Sequence, residues 1–332
     1  MRRPPPTRCP AMPMAVVLVA ALVAFASDPD PPAAARGQGM SPPTVLSTPD
    51  EGGSRTLSAH VPSGIGRSGA TTSPEAVVVP AVPEGVPQSI IGAAESVIGP
   101  DGRDRLDVAA TSVYPLSAIG QIEFVQDGAG TFICTGYLID GNSVLTAGHC
   151  TFDGGEDDPV DSAVFFPGRN RSGGAPFNPF GSCAVVGVWA PDQWRLDAKP
   201  AHDYSVQQLA EGCDLAETAG SFGLFTLGGD NAFAGRRLRV EGYPGDKGYG
   251  SRWRMVGEVD RNSVNTLHYP MDTFGGQSGS PLFKWNRPEC GGPCSAGVHA
   301  YGAGGSPPTN SGPMMTNGRI ATIAAVAAEN GG

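Results

Sequence analysis

From Ser96 onward the chain is written in short apolar runs closed off by turn residues, and this punctuation restricts the fold more than any other feature. Ala118 to Val125 (AIGQIEFV), Thr131 to Ile139 (TFICTGYLI) and Ser143 to Ala147 (SVLTA) have strand length and strand composition, with Asp140-Gly141-Asn142 as the turn before the last. Comparable runs recur at 163 to 166, 184 to 189, 236 to 242, 253 to 259, 265 to 269, 281 to 285 and 295 to 301. Only Arg319 to Glu329 (RIATIAAVAAE) repeats its apolar residues at helical spacing, and it predicts a C-terminal helix packed on the body. A total of 48 Gly and 32 Pro with only 16% charged residues favours many turns and short strands over long helices. The expectation is an all-β protein in two β groups, with a seam near residues 207–235.

The first 95 residues have a different texture. Met1 to Ala26 opens with Arg2, Arg3 and Arg8, continues as a short apolar run, and ends in Ala24-Phe25-Ala26. A basic start, an apolar stretch and a small-x-small end read as a secretory signal peptide over 1–26, with a secreted, extracellular product. Residues 27–95 are rich in Pro, Gly, Ser, Ala and Thr and poor in aromatics. Such a segment buries too little apolar surface to offset its ordering entropy, so it reads as a largely disordered pro-segment ahead of a domain spanning 96–332. The net charge of −10 argues against nucleic acid and against an anionic membrane surface as the main partner.

Seven cysteines are present, one of which, Cys9, falls in the signal region. Cys134, Cys150, Cys183, Cys213, Cys290 and Cys294 remain, an even number suited to three disulfides on an exported chain. Six cysteines allow 15 pairings from sequence alone. Closeness in chain favours a Cys134–Cys150 bridge. No second cysteine pair stands at zinc-finger spacing, so no metal is expected. The acidic run Asp153 to Asp161 (DGGEDDPVD) lacks ordered calcium-ligand spacing and reads as a solvated loop.

The chemistry points to Tyr269 to Leu282 (YPMDTFGGQSGSPL), whose glycine-rich centre can present one serine, Ser278, among converging backbone N–H groups. A hydroxyl is a weak nucleophile at neutral pH, so it needs a histidine to take its proton and a carboxylate to orient that histidine. His149 in TAGHC and Asp203 in HDYSV are the upstream candidates. His202 adjoins Asp203, but neighbours on an extended strand point to opposite faces, so His202 is expected to turn away from the cleft. The order His, Asp, Ser is one of several chain orders in which this constellation recurs.

TAGHC, HDYSV and GGQSGSP resemble the three catalytic segments of chymotrypsin-fold serine peptidases. SVIGPDGRDR at 96 to 105, FPGRN at 166 to 170, GYPGDK at 242 to 247, YPMDTFGGQSGSP at 269 to 281 and CGGPCSAGVH at 290 to 299 resemble the bacterial glutamyl endopeptidases in particular. The resemblance runs from Ser96 to about Glu329. It implies two antiparallel six-stranded β-barrels with the cleft between them, His149 as base and acid, Asp203 as orienter and Ser278 as nucleophile. It further implies an oxyanion hole from the N–H groups of Gly276 and Ser278, and the bridges Cys134–Cys150, Cys183–Cys213 and Cys290–Cys294. An acidic substrate side chain would be met by Thr273, His299 and the mature amino terminus at Ser96. The expected protein is a secreted, monomeric serine endopeptidase that cuts polypeptides after Glu, more weakly Asp, without a cofactor. The rival expectations are a chymotrypsin-fold peptidase of other specificity and a non-catalytic secreted binding module.

Overall fold

The computed structural model describes residues 96–126, 130–213, 215 and 218–330. The signal-peptide and pro-segment readings, over 1–26 and 27–95, lie outside the described residues. Among those residues no helix is long and apolar enough to cross a membrane.

The described chain opens with a strap that contributes a two-residue strand, β1 (Asp104–Arg105). Six strands follow: β2 (Ile119–Val125), β3 (Thr131–Leu138), β4 (Ser143–Thr146), β5 (Ser162–Pro167), β6 (Cys183–Trp189) and β7 (Ser205–Leu209). They close into an antiparallel barrel in the order β6-β7-β4-β3-β2-β5. Alternation explains the closure. Ile122 and Phe124 on β2 point into the core with Tyr137, Leu145 and Phe165. Gln121 and Glu123 point the other way, where the Arg169 guanidinium bonds both of them. The strand is therefore buried on both faces, one apolar and one polar but paired.

The second half contains β8 (Gly223–Leu224), β9 (Arg237–Gly242), β10 (Trp253–Glu258), β11 (Arg261–Ser263), β12 (Thr266–Tyr269), β13 (Pro281–Arg287), β14 (Gly292–Val298), β15 (Tyr301–Gly304) and β16 (Thr309–Pro313). The expectation of a second six-stranded closed barrel is met only in class. These strands form a six-stranded sheet, β1-β10-β9-β13-β14-β8, and a four-stranded sheet, β11-β12-β16-β15. A single bridge, Gly297 to Met314, and the bonds Met315 N–H to Ala296 O and Ala300 N–H to Ser311 O join them. The His299 N–H and C=O bond Ser280 O and Gly279 N–H, so the end of β14 also supports the loop that carries Ser278.

The C-terminal helix spans Asn317–Asn330, two residues longer at its start and one at its end than the spacing predicts. Its Ile323 and Val326 enter the same core as Trp189, Tyr204 and Val206 of the first barrel, so it closes that barrel from outside. All three expected disulfides are formed, Cys134–Cys150, Cys183–Cys213 and Cys290–Cys294. The first spans 16 residues. Closing a loop of that size in the unfolded chain is worth about 3 kcal/mol.

Candidate active site

His149 lies one residue into a 3-10 turn, Gly148–Cys150, which begins where β4 ends. Asp203 follows a second such turn, Pro200–His202, just ahead of β7. The sequence reading set His202 and Asp203 on an extended strand. Pro200 fixes the φ of the first turn position instead, and the strand starts only at Ser205. Because β7 pairs with β4 in the register Ser205 to Thr146, the two turns emerge side by side. Asp203 Oδ1 then accepts the His149 backbone N–H at 2.8 Å, and Oδ2 meets His149 Nδ1 at 2.8 Å. With Asp203 at 0% and His149 at 3% exposure, both bonds are shielded from water.

Ser278 comes from the other half. Its loop is tied by Gln277 N–H to Phe274 O and Ser280 N–H to Gln277 O, and the Ser278 carbonyl accepts Thr135 N–H at 2.8 Å. Cys150 Sγ lies 3.9 Å from that same carbonyl oxygen, so the residue after His149 touches the residue expected as nucleophile. Gly279 makes this approach feasible: at φ +88° a Cβ would collide with the Thr135 carbonyl and Thr146 Oγ1. Gly276 is equally constrained, with φ +99° and the Tyr243 carbonyl 2.5 Å from where a Cβ would stand. Its own carbonyl accepts from Thr135 Oγ1 at 2.9 Å. Thus β3 of the first barrel grips the serine loop through the N–H and the hydroxyl of Thr135, and all three expected catalytic residues sit at one junction, Ser278 itself only 6% exposed.

Two aromatic rings that sequence reasoning missed wall the histidine. Trp194 and Tyr301 each place a ring centroid 6.3 Å from that of His149. Burial, and the negative charge of Asp203, push the Tyr301 phenol above its ordinary range, so it stays a neutral hydroxyl beside the carboxylate. Nothing in the local sequence marks Trp194, whereas Tyr301 stands two residues past His299.

Of the residues expected to meet a substrate carboxylate, Thr273 and Ser96 are in contact and His299 is bonded to the serine loop. His299 is bonded through its backbone to Gly279 and Ser280, and its Nδ1 is 2.6 Å from the Tyr269 hydroxyl. Thr273 is fully buried, and its Oγ1 has no hydrogen-bond partner among the described residues. Thr273 N–H donates to Ser96 O at 3.3 Å, and Asn310 Nδ2 donates to that same oxygen at 2.8 Å. Ser96 Oγ accepts Ala303 N–H at 3.2 Å. The charge-dense loop 153–161 is partly pinned rather than wholly solvated, since Asp157 Oδ1 accepts Arg195 Nε at 2.6 Å. That ion pair lowers the Asp157 carboxyl below its ordinary value.

A family model described as a trypsin-like peptidase domain matches residues 134–289. The solved structure of a Glu endopeptidase in complex with MPD superposes with a TM-score of 0.59 at 30% identity, covering 70% of this chain and 99% of that one. The chain belongs to the trypsin-like serine peptidases. Among curated relatives, this peptidase is 37% identical over 225 residues to a glutamyl endopeptidase of Bacillus licheniformis, covering 67% of this chain and 66% of the relative. It is 30% identical over 192 residues to an extracellular metalloprotease of Bacillus subtilis, covering 57% of this chain and 58% of the relative. The peptidase thus spans somewhat less than two thirds of the length of either. The second name raises a metal. Among the described residues one group has suitable spacing, Cys134, His149 and Cys150. Its two sulfurs are joined to each other and offer no thiolate, and the His149 Nδ1 is engaged by Asp203, so these residues do not fit a metal ion.

Proposed function

We propose that this peptidase hydrolyses polypeptides outside the cell on the carboxyl side of Glu, and more weakly Asp, through an acyl-enzyme. The observation that carries the reading is the double engagement of His149 by Asp203. With one carboxylate oxygen on the backbone N–H and the other on Nδ1, the ring is held with its proton at Nδ1, leaving Nε2 as the base. His149 Nε2 takes the proton of Ser278 Oγ as that oxygen attacks the scissile carbonyl. The N–H groups of Gly276 and Ser278 receive the oxyanion, a kind of donor worth about 100- to 1,000-fold in turnover. His149 then passes its proton to the leaving amine, and water releases the acyl group by the same path. Acid removes the base by protonating His149, so activity falls there.

The preference for Glu rests on Thr273 and His299. A substrate carboxylate taken out of water must meet donors, or its desolvation opposes binding. The unpartnered Thr273 hydroxyl is one such donor. His299, whose Nδ1 lies 2.6 Å from the Tyr269 hydroxyl, supplies another when that hydroxyl donates to Nδ1 and the ring proton sits on Nε2. Ser96 lies against Thr273, so cleavage of Glu95-Ser96 by the enzyme itself would bring a new ammonium to the same place. Amino-terminal sequencing of the secreted protein tests this, and a start well away from Ser96 refutes it.

Ser278→Ala is expected to abolish both turnover and labelling by a serine-directed phosphonate. Retained turnover would remove Ser278 from the mechanism. Peptides differing only before the cut then decide specificity: equal cleavage after Glu and Leu would sink the pocket assignment and leave the triad standing.

A further inference from the structure

Besides its β1–β10 ladder and the Thr273 N–H to Ser96 O bond, the strap SVIGPDGRDR is held by side chains, and some of these bonds lead to the serine loop. The N–H groups of Ile98 and Gly102 donate to the two oxygens of Asp272, each at 2.7 Å. Asp272 is 1% exposed and immediately precedes Thr273. The Arg103 side chain is wholly buried and clamped by two carboxylates. Its Nε and Nη2 bond Asp101 at 2.9 Å each, and its Nη1 and Nη2 bond Asp246 at 3.0 and 2.5 Å. Lys247 Nζ adds a bond to Asp101 at 2.8 Å, so two carboxylates face two cations. Arg103 holds the Asp101 carboxyl well below the ordinary carboxylate range.

Such a cluster is weak evidence for stability, because desolvating four charges costs about as much as their attraction returns. Its placement offers another use. Arg103 Nη1 also reaches Gln277 Oε1 at 3.4 Å, and Gln277 stands between Gly276 and Ser278. The same Oε1 accepts Phe274 N–H at 3.1 Å. Behind the loop, Gly245 N–H, one residue before Asp246, bonds Gly275 O at 2.7 Å.

We propose that Arg103 is a positioning residue for the oxyanion loop, acting through Gln277. A carboxamide has two orientations, and only one puts its oxygen toward both Arg103 and Phe274 N–H. The flipped amide would set an NH2 group against the guanidinium and leave the Phe274 N–H unpaired. Arg103 therefore selects the orientation that staples residues 274–277. Gly275 and Gly276 carry no side chain to resist a turn of their shared peptide, so this staple, together with the Gly245 N–H on Gly275 O, keeps the Gly276 N–H aimed at the oxyanion. Arg103 thus serves the reaction without touching substrate. The inference rests on the reading of Ser278 as nucleophile.

The test is a double-mutant cycle on the secreted full chain, with amino termini read by mass spectrometry so that chains with the same start are compared. Wild type is first titrated with the phosphonate: failure to label overturns the proposed function, and with it the ground for this inference. Given labelling, Arg103→Met and Gln277→Met should each lower kcat about 10- to 100-fold, the scale of misplacing a catalytic group, with KM changed less than about threefold. The double variant should be no more than about threefold worse than the poorer single one, because both remove the same constraint. Lys247→Gln, which deletes the same charge from the same cluster without contact to Gln277, should keep wild-type kcat. Losses that multiply in the double variant, or unchanged kcat in Gln277→Met, overturn the proposal. If Arg103→Met is not secreted, Gln277→Met, which leaves the ion cluster intact, decides alone on the same criterion.

Discussion

Replacing Asp203 with asparagine keeps every heavy-atom position and changes only which of them donate. Oδ1 must remain a carbonyl oxygen, because it accepts the His149 backbone N–H at 2.8 Å. The new NH2 group then faces Nδ1 across the 2.8 Å formerly bridged by a ring proton, so Nδ1 becomes an acceptor and the ring proton moves to Nε2. A ring protonated at Nε2 cannot take a proton from Ser278. Flipping the amide would restore the ring but oppose two N–H donors at a site with 0% exposure. A buried donor left unsatisfied costs about 1–3 kcal/mol, so the useful orientation is the minor one by roughly 5- to 150-fold. Even that minority has lost the negative charge beside the imidazolium that forms during attack. Together the expected loss is about 10,000-fold in kcat/KM, or about 5.4 kcal/mol of transition-state stabilisation. An internally quenched peptide with one Glu, assayed against active-site titre, measures it, while a thermal melt confirms that the isosteric change leaves the fold intact. A folded Asp203→Asn enzyme within about tenfold of wild type would refute Asp203 as the orienting group.

Gly276→Ala would drive a Cβ against the Tyr243 carbonyl at φ +99° and turn the oxyanion N–H away, so kcat should drop about 100- to 1,000-fold with little change in KM; an unaltered kcat would remove Gly276 from the oxyanion hole. His299→Leu leaves a substrate carboxylate buried without its donor, so kcat/KM for Glu peptides should fall by at least about 30-fold while Leu peptides are spared, and equal losses on both would contradict the pocket. Burial, then the charge of Arg261, lower the His268 pKa from its ordinary 6.5, so the folded state holds fewer protons than the unfolded one as the pH drops through that value. Stability is therefore lost toward acid, and His268→Gln should flatten the fall of Tm below about pH 6.5; an unchanged slope would refute the assignment.

The first barrel was legible because its strands carry their own signals. Ile119–Val125, Thr131–Leu138 and Ser143–Thr146 fall within a residue of the predicted bounds, since each run is apolar and β-branched and ends on turn chemistry. Thr309–Pro313 gave no such signal: Asn, Ser, Gly and Pro read as loop, and the segment becomes a strand only because Thr266–Tyr269 offers it a ladder. Two-residue strands such as Asp104–Arg105 and Gly223–Leu224 are likewise created by their partners. No local rule could foresee that His299 would bond the loop carrying Ser278 through its backbone.

The site divides along the same line. His149, Asp203 and Ser278 were legible as residue types in an order, because acyl chemistry demands a nucleophile, a base and an orienter. What seats them was not, because seating is done by backbone groups that any residue possesses and by a strand hydroxyl that no motif marks. The Thr135 N–H holds the Ser278 carbonyl, the Thr135 hydroxyl holds the Gly276 carbonyl, and a glycine at 279 lets the serine loop approach β3. Thr135 thus serves the serine loop twice although nothing in TFICTGYLI distinguishes it from an ordinary strand threonine. Arg103 is illegible for the same reason: its sequence neighbours Asp101 and Asp104 suggest a solvated charge run, and only the fold sends its side chain inward to Asp246 and Gln277. Motif residues record what the reaction requires, and the residues that aim them become visible only when distant segments are brought together.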